Sequence, residues 1–410
     1  MSVTTNLLSG SEEILKAKDF ATDQEVRWCP GCGDYSILKQ VQTVIADLGL
    51  KREEVAIISG IGCSSRFPYY METYGMHSIH GRATAVASGL RIANPNLNVW
   101  VVTGDGDGLS IGGNHLLHIL RRNFDLSILL FNNQIYGLTK GQYSPTSEQH
   151  KVTKSTPMGS IDYPINPIAF AMGANATFIA RSMDRDPKHL QEMVKRCHLH
   201  KGAAFLEIYQ NCNIFNDGAF EIFTDGATKK ESTLFMEHDK PLIFGAQNQK
   251  GIILDGYTPK VVNLDNGQYS QNDLWIHNEH DLVKAQILSR FFDLPQDFTE
   301  AAEFLPRPFG VFYVEPNRPT YEELLHYQIQ QAVEAKGTGN LDQLIAGSVT
   351  WEHEWKVMSY ELWVMGYELW VMSYELWIMN CELPFTIYYL PTTRYHLPST
   401  IYQNARFTRF

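Results

Sequence analysis

Two groups of residues in this chain have the types and spacing that hold metals. The first is Gly104-Asp105-Gly106-Asp107-Gly108, followed one helix and one strand later by Asn132-Asn133. Glycines let the backbone approach a diphosphate, Asp105 brings a hard carboxylate, and Asn133 with the backbone carbonyl of Ile135 can complete an oxygen shell around Mg²⁺. The diphosphate would then sit between the metal and a helix N-terminus. Asp107 is a second carboxylate in the loop, a reserve ligand whose side chain could equally cap the following helix. Two plain turns could spell the same letters, but both stretches follow apolar runs in the right order for a site.

The second group is cysteine. Cys29-Pro30-Gly31-Cys32 is a compact two-thiolate corner, Cys63 stands in Gly62-Cys63-Ser64, and Cys212 follows the last strong apolar run. Four thiolates can hold a [4Fe-4S] cluster; the same set suits tetrahedral zinc, and the CxxC pair alone suits a dithiol. The GDG-to-NN spacing has the wording of a thiamine-diphosphate signature, and that favours the cluster. A thiamine-derived carbanion is electron-rich, an iron–sulfur centre accepts electrons one at a time, and zinc accepts none. Cys197 lies on an apolar helix and is expected in the core.

Basic and polar residues cluster beside both groups. Arg66, three residues after Cys63, could fork onto a substrate carboxylate or be a plain surface arginine. In HSIHGR, His80 could hydrogen-bond cofactor or substrate, or, with His77 and Arg82, simply precede a helix start. Ser64, Gly81 and the run Tyr136-Gly137-Leu138-Thr139 are expected to complete the cofactor lining, with Lys140 at its mouth.

The elements that must position these residues are readable from periodicity. Helical spacing over Asp34–Leu50, Arg82–Ala93, His115–Arg122, Pro167–Met172 and His189–His200 alternates with apolar strands at Val55–Ile58, Val99–Thr103, Ser127–Phe131, Thr177–Ala180 and Ala203–Tyr209. Continuous apolar strands separated by helices predict an α/β fold, a mainly parallel sheet with helices on both faces. In such a sheet the loops after Val55–Ile58, Val99–Thr103, Ser127–Phe131 and Ala203–Tyr209 share the carboxyl edge where ligands gather. From about Thr224 to Asp342 the pattern weakens to turns at Asp255-Gly256 and Asn266-Gly267 and a helix over Tyr321–Ala335. The expected division is an arm over 1–25, the cofactor and cluster domain over 26–223, a C-terminal extension on the same domain over 224–355, and a tail over 356–410.

The length allows one large α/β domain or two ordinary ones, with a sizeable buried core. The chain has 410 residues and a net charge of -11, which argues against nucleic acid as a partner. Six cysteines are too few for a disulfide scaffold, and neither a signal pattern nor a run of about twenty apolar residues occurs. No membrane association and a cytoplasmic location are expected.

The motifs WCPGCGDYSIL, GIGCSSRFPYY, HSIHGRA, VWVVTGDGDGLSIGGNHLLHILRRN and LLFNNQIYGLTKGQYSPTS together resemble the β subunit of 2-oxoacid:ferredoxin oxidoreductases, over roughly residues 12 to 355. IYGLTKGQYSPTS is most similar to the 2-oxoglutarate branch; a pyruvate or broad-specificity enzyme is the neighbouring reading, and a non-redox thiamine-diphosphate decarboxylase or a zinc-stabilised scaffold the more distant ones. The resemblance implies the thiamine-diphosphate-binding fold, cluster ligands at Cys29, Cys32, Cys63 and Cys212, and magnesium ligands at Asp105, Asn133 and the Ile135 carbonyl. It also implies oxidative decarboxylation of a 2-oxoacid, transfer of electrons through the cluster to ferredoxin and of the acyl group to coenzyme A. An α subunit supplies the glutamate that activates the cofactor, so this chain alone is expected to be an incomplete enzyme.

Beyond Lys356 the sequence reads MSYELWV, MGYELWV, MSYELWI and MNCEL, starting at Met358, Met365, Met372 and Met379, with Cys381 inside it. The repeat is too apolar for a coiled coil, with no charged seam. VMSYELW can be written GTT ATG AGT TAT GAG TTA TGG, three near-copies of a seven-base unit read in successive frames. The expectation is translated repetitive DNA appended to an ancestral end near Trp351 to Glu354.

Overall fold

The computed structural model describes residues 15–292 and 305–348, so the repeat-bearing tail lies outside the described residues. Contacts divide the chain into two units, Met1–Gln328 and Ile329–Phe410. The strands of the first are β1 (Val55–Ser59), β2 (Tyr74–His77), β3 (Asn98–Gly104), β4 (Leu126–Asn132), β5 (Ile135–Tyr136), β6 (Gln142–Tyr143), β7 (Phe178–Met183) and β8 (Ala203–Tyr209). They are followed by β9 (Thr233–Phe235), β10 (Ile243–Phe244), β11 (Lys250–Asp255), β12 (Thr258–Asn263) and β13 (Arg307–Val314).

Eight of these form one sheet in the order β2-β1-β3-β4-β8-β7-β13-β9. From β2 to β7 every neighbouring pair is parallel. β13 turns the direction, antiparallel to β7 and parallel to β9. Every residue of β4 and of β8 is buried, at roughly 1.5–3 kcal/mol for each large apolar side chain. That is why both strands read as unbroken apolar runs rather than as alternation.

Helix α1 (Asp34–Asp47) leads into β1, and α2 (Ala83–Ala93), α3 (Gly113–Arg122), α4 (Pro167–Gly173) and α5 (Pro187–Leu199) lie in the connections between the parallel strands. Two apolar clusters form the core. One gathers α2, α3 and α4 residues such as Leu116, Ile119 and Ile168 with alternate residues of the central strands, and the other gathers α1 and α5 residues such as Ile37, Val41 and Leu190 with the remaining ones. Helix starts follow local chemistry: Asn166 accepts from Ala169 N at 3.1 Å and Asp186 from His189 N at 3.3 Å, each with proline in the first turn.

The weakly patterned region contributes more to the sheet than its sequence suggests. β13 is an interior strand, almost wholly buried, and β10, β11 and β12 form a separate antiparallel sheet turning at Asp255-Gly256. Short helices α6 (Glu221–Thr224) and α7 (Lys229–Ser232) precede β9, and α8 (Leu282–Ser289) precedes β13. α9 (Tyr321–Lys336) begins in the first unit, where Glu322 accepts from Arg91 Nη2 at 2.8 Å. In the second unit α10 spans Leu341–Ala346. Among the described residues no helix is long and apolar enough to cross a membrane.

Candidate functional site

The parallel strands β1, β3, β4, β8 and β7 deliver Gly60–Cys63, Gly104–Asp107, Asn132–Ile135, Gln210–Cys212 and Asp184 to a single sheet edge, as their shared direction requires. β3 runs into a π turn, Asp107–Ile111, closed by Gly112 N donating to Asp107 O at 3.1 Å. Such a turn re-aims neighbouring side chains. Here it separates two aspartates that the sequence presents as equivalents.

Asp105 is buried and faces the β4 loop. The Thr146 hydroxyl donates to its Oδ2 at 2.6 Å, and Ser144 and the backbone N–H groups of Gly106 and Asn133 also point to it. Burial raises its carboxyl pKa above the usual range, and these donors act against the rise. Asn133 Oδ1 accepts from Ile135 N at 3.2 Å, which tightens the loop. Asn216 Nδ2 holds the Asn133 carbonyl at 2.9 Å. β5 and β6 then form a small ribbon that turns through Lys140 and Gly141, both at positive φ.

Asp107 faces the other way. Its Oδ1 accepts from Ile61 N at 3.0 Å, Gly81 N at 2.7 Å and His80 Nδ1 at 2.6 Å, and its Oδ2 from Thr103 Oγ1 at 2.6 Å. It is neither a free ligand nor a helix cap: it ties the β1 loop and the His80-Gly81 turn to β3. Close backbone approach makes this possible, since a Cβ on Gly60 would stand 2.0 Å from Asp107 Oδ2 and one on Gly81, at φ +69, 2.5 Å from Gly112 N. With Nδ1–H given to Asp107, the partly exposed His80 ring leaves Nε2 for another partner.

The cysteines converge on the neighbouring part of the edge. Cys29 to Cys32 is a tight turn, with Cys32 N donating to Cys29 O at 3.0 Å and Gly31 at φ +84, the conformation a Pro-Gly pair adopts in a type II turn. Asn213 Nδ2 donates to Pro30 O at 2.6 Å and Gly33 N to Asn211 O at 3.2 Å, so the turn is fastened to the Cys212 segment. Gln210 Nε2 donates to Cys32 Sγ at 3.3 Å, and Trp28 Nε1 to the Cys63 carbonyl at 2.6 Å. A Cβ on Gly137 would lie 3.4 Å from Cys63 Sγ and 3.6 Å from Cys212 Sγ.

Burial pushes the Cys63 thiol up to about 12, with further rises from Asp34, Cys212 and Cys29; Cys32 is raised by burial and by Asp34. Fully buried Asp34 is itself pushed up to about 7 by burial, and both of its carboxylate oxygens lack a partner among the described residues at ordinary hydrogen-bond geometry. Cys29 is exposed, and Cys197 is buried, as expected from its helix. Among the described residues no group of three or more His, Cys, Asp or Glu side chains is arranged to hold a metal ion.

Arg66 lines a cleft of about 490 Å³ with Gly62, Leu138, Tyr69 and His77, and its Nη1 donates to Arg27 O at 3.1 Å. His77 Nδ1 is taken up by the Ser65 carbonyl at 2.7 Å, Arg82 approaches the Ile111 carbonyl, and Thr139 and Lys140 are exposed on the ribbon turn. Tyr136 lies over Gly106, its hydroxyl donating to the Gly106 carbonyl at 3.0 Å, and Ser64 lies beside Gly104. Sequence reasoning missed Thr146 and its neighbour Ser144, although SPTS lies in the same connection after β4. It also missed Glu207, a charge inside an apolar strand and therefore a visible signal of a buried partner.

Residues 60–208 match the family model described as thiamine pyrophosphate enzyme, C-terminal TPP binding domain. The chain is 50% identical over 346 residues to the 2-oxoglutarate oxidoreductase subunit KorB of Mycobacterium tuberculosis, covering 83% of this chain and 89% of that one. It is 38% identical over 242 residues to the 2-oxoglutarate synthase subunit KorB of Methanocaldococcus jannaschii, covering 57% and 89%. Among solved structures it is similar to the 2-oxoglutarate:ferredoxin oxidoreductase of Magnetococcus marinus with 2-oxoglutarate, coenzyme A and succinyl-CoA bound, at a TM-score of 0.63 and 33% identity over 82% of this chain and 96% of that one.

Proposed function

Since this chain belongs to the β subunits of the 2-oxoacid:ferredoxin oxidoreductases, on the 2-oxoglutarate branch, we propose that with its partner subunit it carries out coenzyme A-dependent oxidative decarboxylation of 2-oxoglutarate, or the reverse carboxylation of succinyl-CoA, exchanging electrons with ferredoxin. Thiamine diphosphate is held through Mg²⁺ by Asp105, Asn133 and the Ile135 carbonyl, and a [4Fe-4S] cluster by Cys29, Cys32, Cys63 and Cys212. The cofactor supplies a carbanion equivalent at the 2-oxo carbon, and the cluster a one-electron relay.

One observation carries this reading: a single short stretch, Asn133 to Gly137, bonds Asp105 at one end through the Asn133 N–H and at the other places Gly137 where an added Cβ would lie 3.4 Å and 3.6 Å from the sulfurs of Cys63 and Cys212. The donor sets fit the two groups. Asp105 brings a hard oxygen amid donors that offset its burial, which suits Mg²⁺. The raised Cys32 and Cys63 pKa values reflect burial and negative neighbours, and cationic iron would relieve both. A one-electron relay beside a thiamine-derived carbanion favours iron–sulfur over zinc, which has no redox chemistry.

The chain's own residues have definite tasks in this account. Tyr136 covers the Gly106 backbone and closes that side of the loop. Gly104, Gly106, Ser64, Gly81, Leu138 and Thr139 complete the lining. His80 presents Nε2 as an acceptor for a proton of cofactor or substrate, its tautomer set by Asp107. Arg66 offers its guanidinium to a substrate carboxylate in the cleft it lines. Anaerobic purification of the complex with assays for iron, sulfide and thiamine tests the reading. Four irons and one thiamine per chain are expected; zinc in place of iron would refute it.

A further inference from the structure

Three adjacent strands carry a row of buried polar side chains leading to Asp105. Arg181 on β7 pairs in register with Glu207 on β8, and its Nε donates to Glu207 Oε2 at 2.7 Å with both side chains almost wholly buried. The other oxygen, Oε1, accepts from Asn132 Nδ2 at 2.8 Å at the end of β4. Asn132 Oδ1 accepts from Gln134 N at 3.2 Å and from Thr146 Oγ1 at 2.9 Å, and the same hydroxyl is 2.6 Å from Asp105 Oδ2.

Core stability does not explain the pair. A buried ion pair costs about as much in lost hydration as it returns, and apolar residues of equal volume are often as stable. Arg181 Nη2, moreover, is buried with no hydrogen-bond partner among the described residues. What the pair supplies is direction. An ionised Glu207 only accepts, so Asn132 must turn its NH2 toward it and its oxygen toward Gln134 N–H and Thr146. The flipped amide would set oxygen against carboxylate and NH2 against N–H. With the oxygen outward, Asn132 Oδ1 and Asp105 Oδ2 share the single Thr146 proton, and the shared bond holds the hydroxyl in one place beside Asp105.

The geometry points to Glu207, locked by Arg181, as a positioning residue: through Asn132 and Thr146 it fixes the carboxylate that anchors Mg²⁺ and the diphosphate. The inference rests on the reading of Asp105 given above. Nothing in the relay touches the reacting atoms, so its effect falls on cofactor affinity.

The test is calorimetric titration of thiamine diphosphate at fixed Mg²⁺ into the cofactor-free complex of this chain and its partner subunit. Glu207→Gln and Thr146→Val are each expected to weaken binding about tenfold, the size typical of residues that orient a metal ligand. Their double variant is expected to be no weaker than the weaker single one, and Thr146→Ser to bind nearly as wild type. Losses that multiply in the double variant, or a Glu207→Gln complex within about twofold of wild type, overturn the inference. Should Glu207→Gln fail to assemble, Asn132→Ala, which leaves the ion pair intact, is compared with Thr146→Val in the same way. Wild type without Mg²⁺-dependent binding, or Asp105→Asn binding as well as wild type, overturns the underlying reading and the inference with it.

Discussion

Gly137 stands against Cys63, the position of a Cβ on the glycine lying 3.4 Å from the cysteine sulfur. The glycine only a few positions beyond Asn133 therefore lies beside the sulfurs, and the two proposed centres share one short stretch of chain.

A Cβ at that position is in ordinary contact with the sulfurs of Cys63 and Cys212, so the further methyl groups of a branched side chain compete with them for space. Gly137→Val is expected to lower iron content by more than about half, since cluster ligation tolerates little movement of its thiolates, while thiamine diphosphate still binds in calorimetry. Full iron occupancy in the variant would show that the glycine is no part of the cluster wall.

Asp105 and Asp107 should respond differently to the same change. Asp105→Asn is expected to weaken Mg²⁺-dependent thiamine diphosphate binding at least about 100-fold, more than loss of an orienting neighbour costs. Asp107→Asn, which disturbs four hydrogen bonds between β3, the β1 loop and the His80 turn, should chiefly lower the melting temperature. Equal binding losses without loss of stability would contradict the division of roles.

Much of this architecture is legible in the sequence. The five helices and five parallel strands around the site follow from periodicity, and GDG, NN and the four cysteines mark the loops at their ends. The division between Asp105 and Asp107 is not legible, because a π turn turns two identical residues to opposite sides and nothing in GDGDG records it. β13 escapes for another reason: its apolar run, FGVFYV over 309–314, stands among weak elements, and its pairing with β7 is long-range. β2 has an exposed edge strand's pattern, YGMH, with no apolar signal. Arg181 lies one residue past the predicted strand end, so its pairing with Glu207 required the register.

Gly81 offers a test of backbone strain in the turn that Asp107 holds. Its φ of +69 and its contact with Gly112 N leave no room for a methyl group, so Gly81→Ala is expected to destabilise by roughly 1–3 kcal/mol through backbone strain and overlap. Urea denaturation monitored by tryptophan fluorescence measures it; an unchanged midpoint would mean the turn relaxes freely.

Acid sensitivity follows from two largely buried histidines at the ends of α5. Burial lowers the pKa of both His189 and His200 to about 4, so each stays neutral in the folded chain while the unfolded chain takes up a proton below about 6.5. Their contribution to stability is whole above that value and is lost as pH falls from about 6.5 toward 4. Melting temperatures across that window should decline, and less steeply in His189→Asn and His200→Asn; a decline with the same slope would assign the acid loss to other groups.

The spatial claim is tested most directly by an anaerobic visible spectrum of the assembled complex, taken before and after adding 2-oxoglutarate with coenzyme A. The account predicts a brown sulfur–iron absorption that bleaches when both are present and returns when oxidised ferredoxin is supplied. An iron-containing, thiamine-loaded complex whose absorption stays unchanged by substrate would contradict it.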